Sequence, residues 1–130
     1  MNLRLELAEL ALVALGAVPG ALLRWQAGVQ LGPILPLHAG GADLLVNLIG
    51  SLLLGWLVAP PGLPSGYVLA LGIGFCGSLT TFSSWMFDLA HLQHIGEGGQ
   101  SLLLLLLSLV LGLAAAALGY RLRGAHTLGS

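Results

Sequence analysis

The chain has 130 residues, of which 57% are hydrophobic and only 7% are charged, and its formal net charge is −1 at pH 7. Soluble domains carry roughly a quarter charged residues, so this composition, with a mean hydropathy of +0.98, predicts an integral membrane protein. The chain contains no lysine, and nothing in it indicates a nucleic acid as a partner.

Four apolar segments follow one another, each close to the ~20 residues that span a hydrocarbon core. They predict an all-α fold, a single four-helix membrane domain over residues 1–130, with spans at about 7–25, 43–59, 66–86 and 101–120. Residues 26–41, with two prolines and four glycines, predict an irregular loop or a short interfacial turn, and Gly98-Gly99 predicts a turn before the fourth span.

Four spans place both termini on the same side of the membrane. Arg4, Arg121 and Arg123 lie on that side, and only Arg24 lies on the other. The positive-inside rule favours cytoplasmic termini, but this bias is small enough for insertion in both orientations.

Small residues recur every four positions in three of the spans. Gly16 and Gly20 precede Arg24 on one helix face, and the other two sets are Ser51 with Gly55 and Ser108 with Gly112 and Ala116. Such faces let membrane helices approach closely. They fit a homo-oligomer, most simply a dimer, and they equally fit helix packing within one chain.

The third span is interrupted by polar and small residues. Residues 72–85 read Gly-Ile-Gly-Phe-Cys-Gly-Ser-Leu-Thr-Thr-Phe-Ser-Ser-Trp, with three glycines, two threonines and three serines. Freed backbone groups at bilayer depth need partners in protein, ions or water. The stretch therefore predicts a third helix broken near its middle, and a functional site at the break.

Other polar residues in the spans allow two interpretations each. Asn47 can join helices through its amide, or it can face a pore as a donor. Arg24 can extend to the interface, or it can point inward at a mouth and concentrate anions. Phe82 and Trp85, three residues apart, can pack in a core or turn their positive ring edges towards an anion.

Catalytic chemistry is not indicated. No nucleophile–base pair, phosphate loop or redox centre is recognisable, so we expect the protein not to be an enzyme. His91 and His94 have a spacing that a metal could use, but without further ligands they fit interfacial polar residues better. The single cysteine, Cys76, excludes an internal disulfide.

Four sequence blocks resemble a known family. They are Gly20-Ala-Leu-Leu-Arg-Trp25, Val46-Asn-Leu-Ile-Gly-Ser51, Gly74-Phe-Cys-Gly-Ser-Leu-Thr-Thr-Phe-Ser, and Ser108-Leu-Val-Leu-Gly112. Together they are similar to the small fluoride ion channels of the CrcB (Fluc) type, in all four spans and in order.

The resemblance implies an antiparallel, dual-topology homodimer in the inner cell membrane, with two fluoride pores that export fluoride passively and protect against its toxicity. It also implies a structural sodium ion held by the backbone carbonyls of Gly77 and Thr80. No organic cofactor is implied.

The resemblance further implies roles for individual residues. Asn47 would be the pore amide, Phe82 the first ring of an aromatic box, Ser108 part of a polar track and Arg24 a vestibule residue. The remaining implied pore residues are Phe75, Thr81, Ser83, Ser84 and Trp85. Two positions depart from the family pattern: Trp85 replaces a usual Phe, and Leu104 replaces a usual Tyr or Asn, which would shorten the polar track.

Two rival functions remain open from the residues alone. A proton-coupled multidrug transporter of similar size needs a carboxylate embedded in its first helix, whereas Glu6 and Glu9 lie at the start of that helix. A structural membrane subunit would explain the small-residue faces but not the hydroxyl-rich interruption.

Overall fold

The computed structural model describes residues 2–37 and 39–128, and within these ranges every regular element is a helix. The helices are α1 (Leu3–Leu31), α2 (Ala39–Val58), α3 (65–79), α4 (Ser83–His94) and α5 (Gly98–Leu128). Helix α3 begins as an α-helix at Ser65–Tyr67, widens to a π-helix over Val68–Cys76 and returns to an α-helix over Gly77–Leu79.

Four segments are long and apolar enough to cross a membrane: Leu3–Leu31, Gly40–Val58, Ser65–His94 and Gly98–Ala125. This confirms the prediction of an all-helical chain with four membrane-length helices. The third segment comprises α3 and α4, with residues 80–82 between them.

The helices extend beyond the apolar spans from which they were predicted. Helix α1 continues to Leu31, where Gln30 donates a side-chain hydrogen bond of 2.9 Å to Gln26 one turn earlier. The predicted turn at Gly98-Gly99 is wrong, because α5 begins at Gly98. The chain turns instead at residues 95–97, where Gly96 has a φ of 85°, a value that glycine adopts without strain.

The small-residue faces pack helices within the chain. A Cβ on Gly16 would collide with the carbonyl of Ala70 on α3, so α1 and α3 touch through their backbones. Helix α2 packs against α5, where Gly55 meets the backbone of Ala116. These contacts favour the packing interpretation for both faces, since small residues permit this approach.

Arg123 of α5 caps the carboxyl end of the neighbouring helix α2 with hydrogen bonds to its backbone carbonyls. Its Nη1 donates to the carbonyls of Trp56 and Leu57, both at 3.3 Å, and its Nη2 donates to the carbonyl of Pro61 at 2.6 Å. The guanidinium also lies 4.8 Å from the centre of a ring of Trp56. The last carbonyls of a helix have no intrahelical donor, and one buried side chain supplies donors here.

Candidate functional site

The interruption between α3 and α4 is held by a side chain from α2. Thr80 leaves the helix with φ −76° and ψ 154°. The N–H of Thr81 then donates to Asn47 Oδ1 at 2.7 Å, and the carbonyl of Thr81 accepts from Asn47 Nδ2 at 3.0 Å. One amide thus satisfies both backbone groups of a non-helical residue in an apolar layer, where unpaired groups are costly.

The hydroxyl groups of two threonines form hydrogen bonds with the backbone at the two helix ends on either side of the interruption. Thr80 donates its Oγ1 hydrogen to the carbonyl of Cys76 at 2.9 Å in the last turn of α3. The Oγ1 of Thr81 accepts the N–H of Ser84 at 3.2 Å in the first turn of α4. Both threonines therefore support the break locally, as hydroxyls commonly do near helix ends.

Two aromatic residues at the start of α4, one just before the helix and one in its first turn, form the wall next to the break. Phe82 and Trp85 have ring centroids 5.6 Å apart and planes inclined at 49°. The indole N–H of Trp85 donates to Ser108 Oγ on α5 at 2.9 Å, and Ser108 donates in turn to the carbonyl of Leu104 at 2.7 Å. This pair of hydrogen bonds ties α4 to α5 at the level of the interruption.

A cavity of about 390 Å³ opens beside these groups. It brings together seven of the residues predicted from the sequence, namely Asn47, Gly77, Thr80, Thr81, Phe82, Trp85 and Ser108. Its other walls are largely small or apolar: Gly50, Ser51, Leu54, Gly72, Cys76, Leu109 and Gly112. We call this space the break cavity.

A second cavity, of about 380 Å³, is lined by residues of α1, α2 and α4. It contains Arg24 and Ser84, and also Asp43, which precedes Asn47 by four residues. We call it the arginine cavity. Two predicted pore residues line neither cavity: Ser83 is exposed, and the backbone of Phe75 packs on Gly16 and Gly20.

Comparison with known proteins identifies the family. The family profile described as CrcB-like protein, Camphor Resistance (CrcB), matches residues 11–120, which is most of the chain. The chain belongs to the CrcB family. This confirms the resemblance seen in the sequence.

Relatives in the CrcB family carry channel names. A protein of Synechococcus sp. (strain CC9605) named fluoride-specific ion channel FluC 2 is 54% identical over 123 residues, which cover 93% of this chain and 85% of that one. A FluC 1 of Parasynechococcus marenigrum (strain WH8102) is 40% identical over 117 residues, covering 88% and 92%. The fluoride-specific ion channel FluC of Acinetobacter baumannii (strain SDF) is 37% identical over 110 residues, covering 82% and 86%. These are names of channels and not of enzymes, which confirms the expectation about catalysis.

Leu104 lies outside the break cavity of this CrcB-family chain. Its side chain is fully buried in a cluster with Trp85 and Leu89, and it also contacts the position of Gly40. Only its carbonyl takes part in the polar contacts, as the acceptor for Ser108. The leucine therefore fills space behind the indole of Trp85.

Two acidic residues near the site were not singled out from the sequence. Asp43 is only 7% exposed, and Asp88 on α4 lies near the start of α2, where a Cβ added at Gly40 would be 3.7 Å from Asp88 Oδ2. The spacing along the helices could have identified them. Asp43 is four residues before Asn47, and Asp88 is three residues after Trp85, so each acid lies on the same helix face as a site residue.

The pair His91 and His94 forms no metal centre in the described part of the chain. Across residues 2–37 and 39–128, no group of three or more His, Cys, Asp or Glu could hold a metal ion. The ring of His91 instead stacks on Phe87, with centroids 6.3 Å apart and planes inclined at 9°.

Proposed function

We propose that this protein is a fluoride-selective channel that conducts fluoride passively out of the cytoplasm across the inner cell membrane. The observation that carries this proposal is the interruption at residues 80–82, held open by Asn47 beside a cavity lined with amide, hydroxyl and ring-edge groups. The channel names of its relatives support it.

The cavity offers the chemistry that a small, strongly hydrated anion requires. Asn47 Nδ2 has two hydrogens and uses one on the carbonyl of Thr81, so the second is available to an ion. The tilted rings of Phe82 and Trp85 supply positive edges. Replacing water by fixed donors in a narrow site favours the ion that fits them and excludes larger chloride.

Arg24 adds a long-range attraction to this path. Its permanent charge lies in the arginine cavity, which shares walls from α2 and α4 with the break cavity. A positive charge at a mouth with apolar walls raises the local concentration of anions. We therefore assign Arg24 to the vestibule and the break cavity to the selective part of the path.

A single chain provides only part of the pore wall. Phe82 is 72% exposed although it lies at the interruption in the middle of the third segment, and the break cavity opens beside it. A second copy, inserted antiparallel, would cover this aromatic side chain and complete the lining. We propose a homodimer with two pores because Phe82 is exposed at the interruption. The weak positive-inside bias of the arginines, which permits insertion in both orientations, supports the antiparallel arrangement.

The carbonyls of Gly77 and Thr80 fit a structural sodium ion at the centre of such a dimer. The N–H of Thr81 would ordinarily bond the carbonyl of Gly77 four residues earlier, and it bonds Asn47 instead. Gly77 is exposed, and a Cβ there would meet no atom within 4 Å. Two carbonyl oxygens from each copy suit a hard cation, whose charge would hold the interrupted helices together.

Fluoride efflux from proteoliposomes, read with a fluoride electrode, tests the assignment of the lining. In Asn47→Asp a carboxylate replaces a donor, and two unit charges about 4 Å apart repel by roughly 4 kcal/mol at an effective dielectric constant of about 20. We expect flux to fall by at least about a hundredfold. Phe82→Ile removes a ring edge, and we expect a fall of about tenfold.

The matched control is Leu113→Ile, because Leu113 is 74% exposed on the outer face of α5. We expect it to conduct like the parent protein. Unchanged flux in both site variants, with the folded dimer intact, would remove the break cavity from the ion path.

A further inference from the structure

Most polar side chains of the break cavity have already used their hydrogens. Thr80 Oγ1 donates to the carbonyl of Cys76, and Ser108 Oγ donates to the carbonyl of Leu104. The indole N–H of Trp85 donates to Ser108. An anion that enters the cavity therefore needs donors other than these three groups.

Three side-chain N–H and O–H hydrogens of the break cavity form no hydrogen bond within residues 2–37 and 39–128. Asn47 Nδ2 has two hydrogens and donates one of them to the carbonyl of Thr81. Thr81 Oγ1 accepts the N–H of Ser84 and keeps its own hydrogen. The third hydrogen belongs to Ser51, whose hydroxyl lines the cavity.

The hydroxyl of Ser51 differs from the other helical hydroxyls of the cavity. Serine and threonine in helices commonly donate to the carbonyl four residues earlier, as Thr80 and Ser108 do here. For Ser51 that acceptor would be the carbonyl of Asn47, and this bond is not formed. A hydroxyl without a partner is unfavourable in an apolar layer, so a ligand that accepts its hydrogen would stabilise it.

Ser51 continues the polar face of α2 beyond Asn47. Asp43, Asn47 and Ser51 follow one another at intervals of four residues, so they share one helix face. Cβ atoms at this spacing are about 5–6 Å apart, and a small ion between Asn47 and Ser51 is within hydrogen-bonding reach of both side chains. Because Asp43 lines the arginine cavity, Ser51 lies on the opposite side of Asn47 from that cavity along α2.

Gly112 of α5 leaves space beside this hydroxyl. Among the described residues, a Cβ added at Gly112 would meet one atom within 4 Å, the Oγ of Ser51 at 3.9 Å. Leu54 and Leu109 provide apolar walls of the same cavity. A hydrogen bond to an ion is stronger in such surroundings than in water.

We propose that Ser51 donates its hydroxyl hydrogen to fluoride, and that Asn47 and Ser51 together form an anion subsite in the break cavity. This inference rests on the proposed channel function. The amide and the hydroxyl each donate one hydrogen bond to the ion, and no covalent bond changes. Ser51 thus has a role beyond the packing that its small side chain and its spacing to Gly55 suggested.

Two substitutions separate a donor from a packing residue. Ser51→Ala removes the hydroxyl but keeps a small side chain that favours the helix, so this variant should fold. Ser51→Thr keeps the hydroxyl and adds a methyl group. The matched control is Ser65→Ala, which removes an exposed hydroxyl at the start of α3.

Fluoride efflux from proteoliposomes tests the role of Ser51 in conduction. Loss of a hydrogen bond to a charged group lowers affinity by about tenfold or more, so we expect Ser51→Ala to lower the flux about tenfold. Ser51→Thr and Ser65→Ala should conduct like the parent protein. Equal losses in Ser51→Ala and Ser51→Thr would indicate packing and overturn the inference.

Thermal unfolding of the purified dimer tests fluoride binding without reference to transport. At constant sodium concentration, replacing chloride by fluoride should raise the unfolding temperature of the parent protein, because a ligand of the folded state stabilises it. The fluoride concentration that gives half of this shift should be about tenfold higher in Ser51→Ala, and unchanged in Ser51→Thr and Ser65→Ala.

The two measurements distinguish failure of this inference from failure of the channel proposal. A conducting parent protein with the same flux and the same fluoride-dependent shift in Ser51→Ala would overturn the subsite and leave the channel standing. A parent protein that unfolds at the same temperature in fluoride and in chloride would also overturn the subsite. A parent dimer that releases no fluoride, but whose shift depends on the hydroxyl of Ser51, would refute the channel and keep the binding site.

Discussion

At the scale of single residues, the hydrogen bond from Trp85 to Ser108 links two helices beside the break cavity. The indole N–H has its acceptor on α5 at 2.9 Å, and Ser108 passes its own hydrogen to Leu104. A phenylalanine at position 85 would supply a ring edge without this bond. The tryptophan therefore both lines the break cavity and links α4 to α5.

A double-mutant cycle measures that link. We expect Trp85→Phe to lower the free energy of unfolding by about 1 kcal/mol through the lost hydrogen bond. Ser108→Ala should lower it by about 1–3 kcal/mol, because it leaves a buried N–H unpaired. Unfolding of the purified protein in denaturing detergent reports both values.

The double variant decides whether the two residues act together. We expect its destabilisation to be smaller than the sum of the single values, since both changes remove the same contact. Additive losses would mean that the bond does not contribute to stability. Trp85→Phe should retain fluoride flux because the ring edge remains.

At the scale of helices, much of the fold could be predicted from the sequence. Apolar length indicated the four membrane segments, and the cluster of glycine and hydroxyl residues pointed to the place where the structure ends α3 and begins α4. Helix ends were less predictable. Helix α1 continues through Gln26 and Gln30 beyond the apolar segment, because a helix can extend into the interface where water satisfies polar side chains.

The contacts between helices could not be predicted in the same way. Asn47 meets Thr81 across 34 positions of sequence, and Arg123 meets Pro61 across 62. Helical periodicity shows which residues share a face of one helix, but it does not say which face of another helix they meet. For this reason the acids Asp43 and Asp88 were visible only as isolated polar residues.

Arg123 provides a test at the helix scale. It is 8% exposed and spans three carbonyls at the end of α2. Lysine concentrates its donors at one nitrogen and cannot reproduce this fork. We expect Arg123→Lys to lower the free energy of unfolding by about 2 kcal/mol, the size of a hydrogen bond to a charged group.

The control lies two residues away on the same helix. Arg121 is exposed, so Arg121→Lys should change the free energy of unfolding by no more than about 0.5 kcal/mol. Detergent unfolding of both variants makes the comparison. Equal effects would contradict the capping role of Arg123.

At the scale of the whole molecule, the helix surfaces fall into three groups. Some pack against other helices, some are exposed, and one, at the interruption, is where we place a second copy. Small residues bring α1 onto α3 and α2 onto α5, while many leucines of α1 and α5 are exposed. The aromatic side chain of Phe82 stays exposed at the interruption, where we place the second copy. Polar side chains line the break cavity and the arginine cavity.

The most direct test of this account compares fluoride with chloride in one preparation. The parent protein, reconstituted as a dimer in vesicles loaded with both anions, should release fluoride rapidly while chloride stays inside. Efflux of the two ions is read with selective electrodes after the membrane potential is released by a potassium ionophore. Rapid fluoride release with retained chloride is the predicted result. Release of both ions, or of neither, from a well-folded dimer would contradict a selective fluoride pore at the helix interruption.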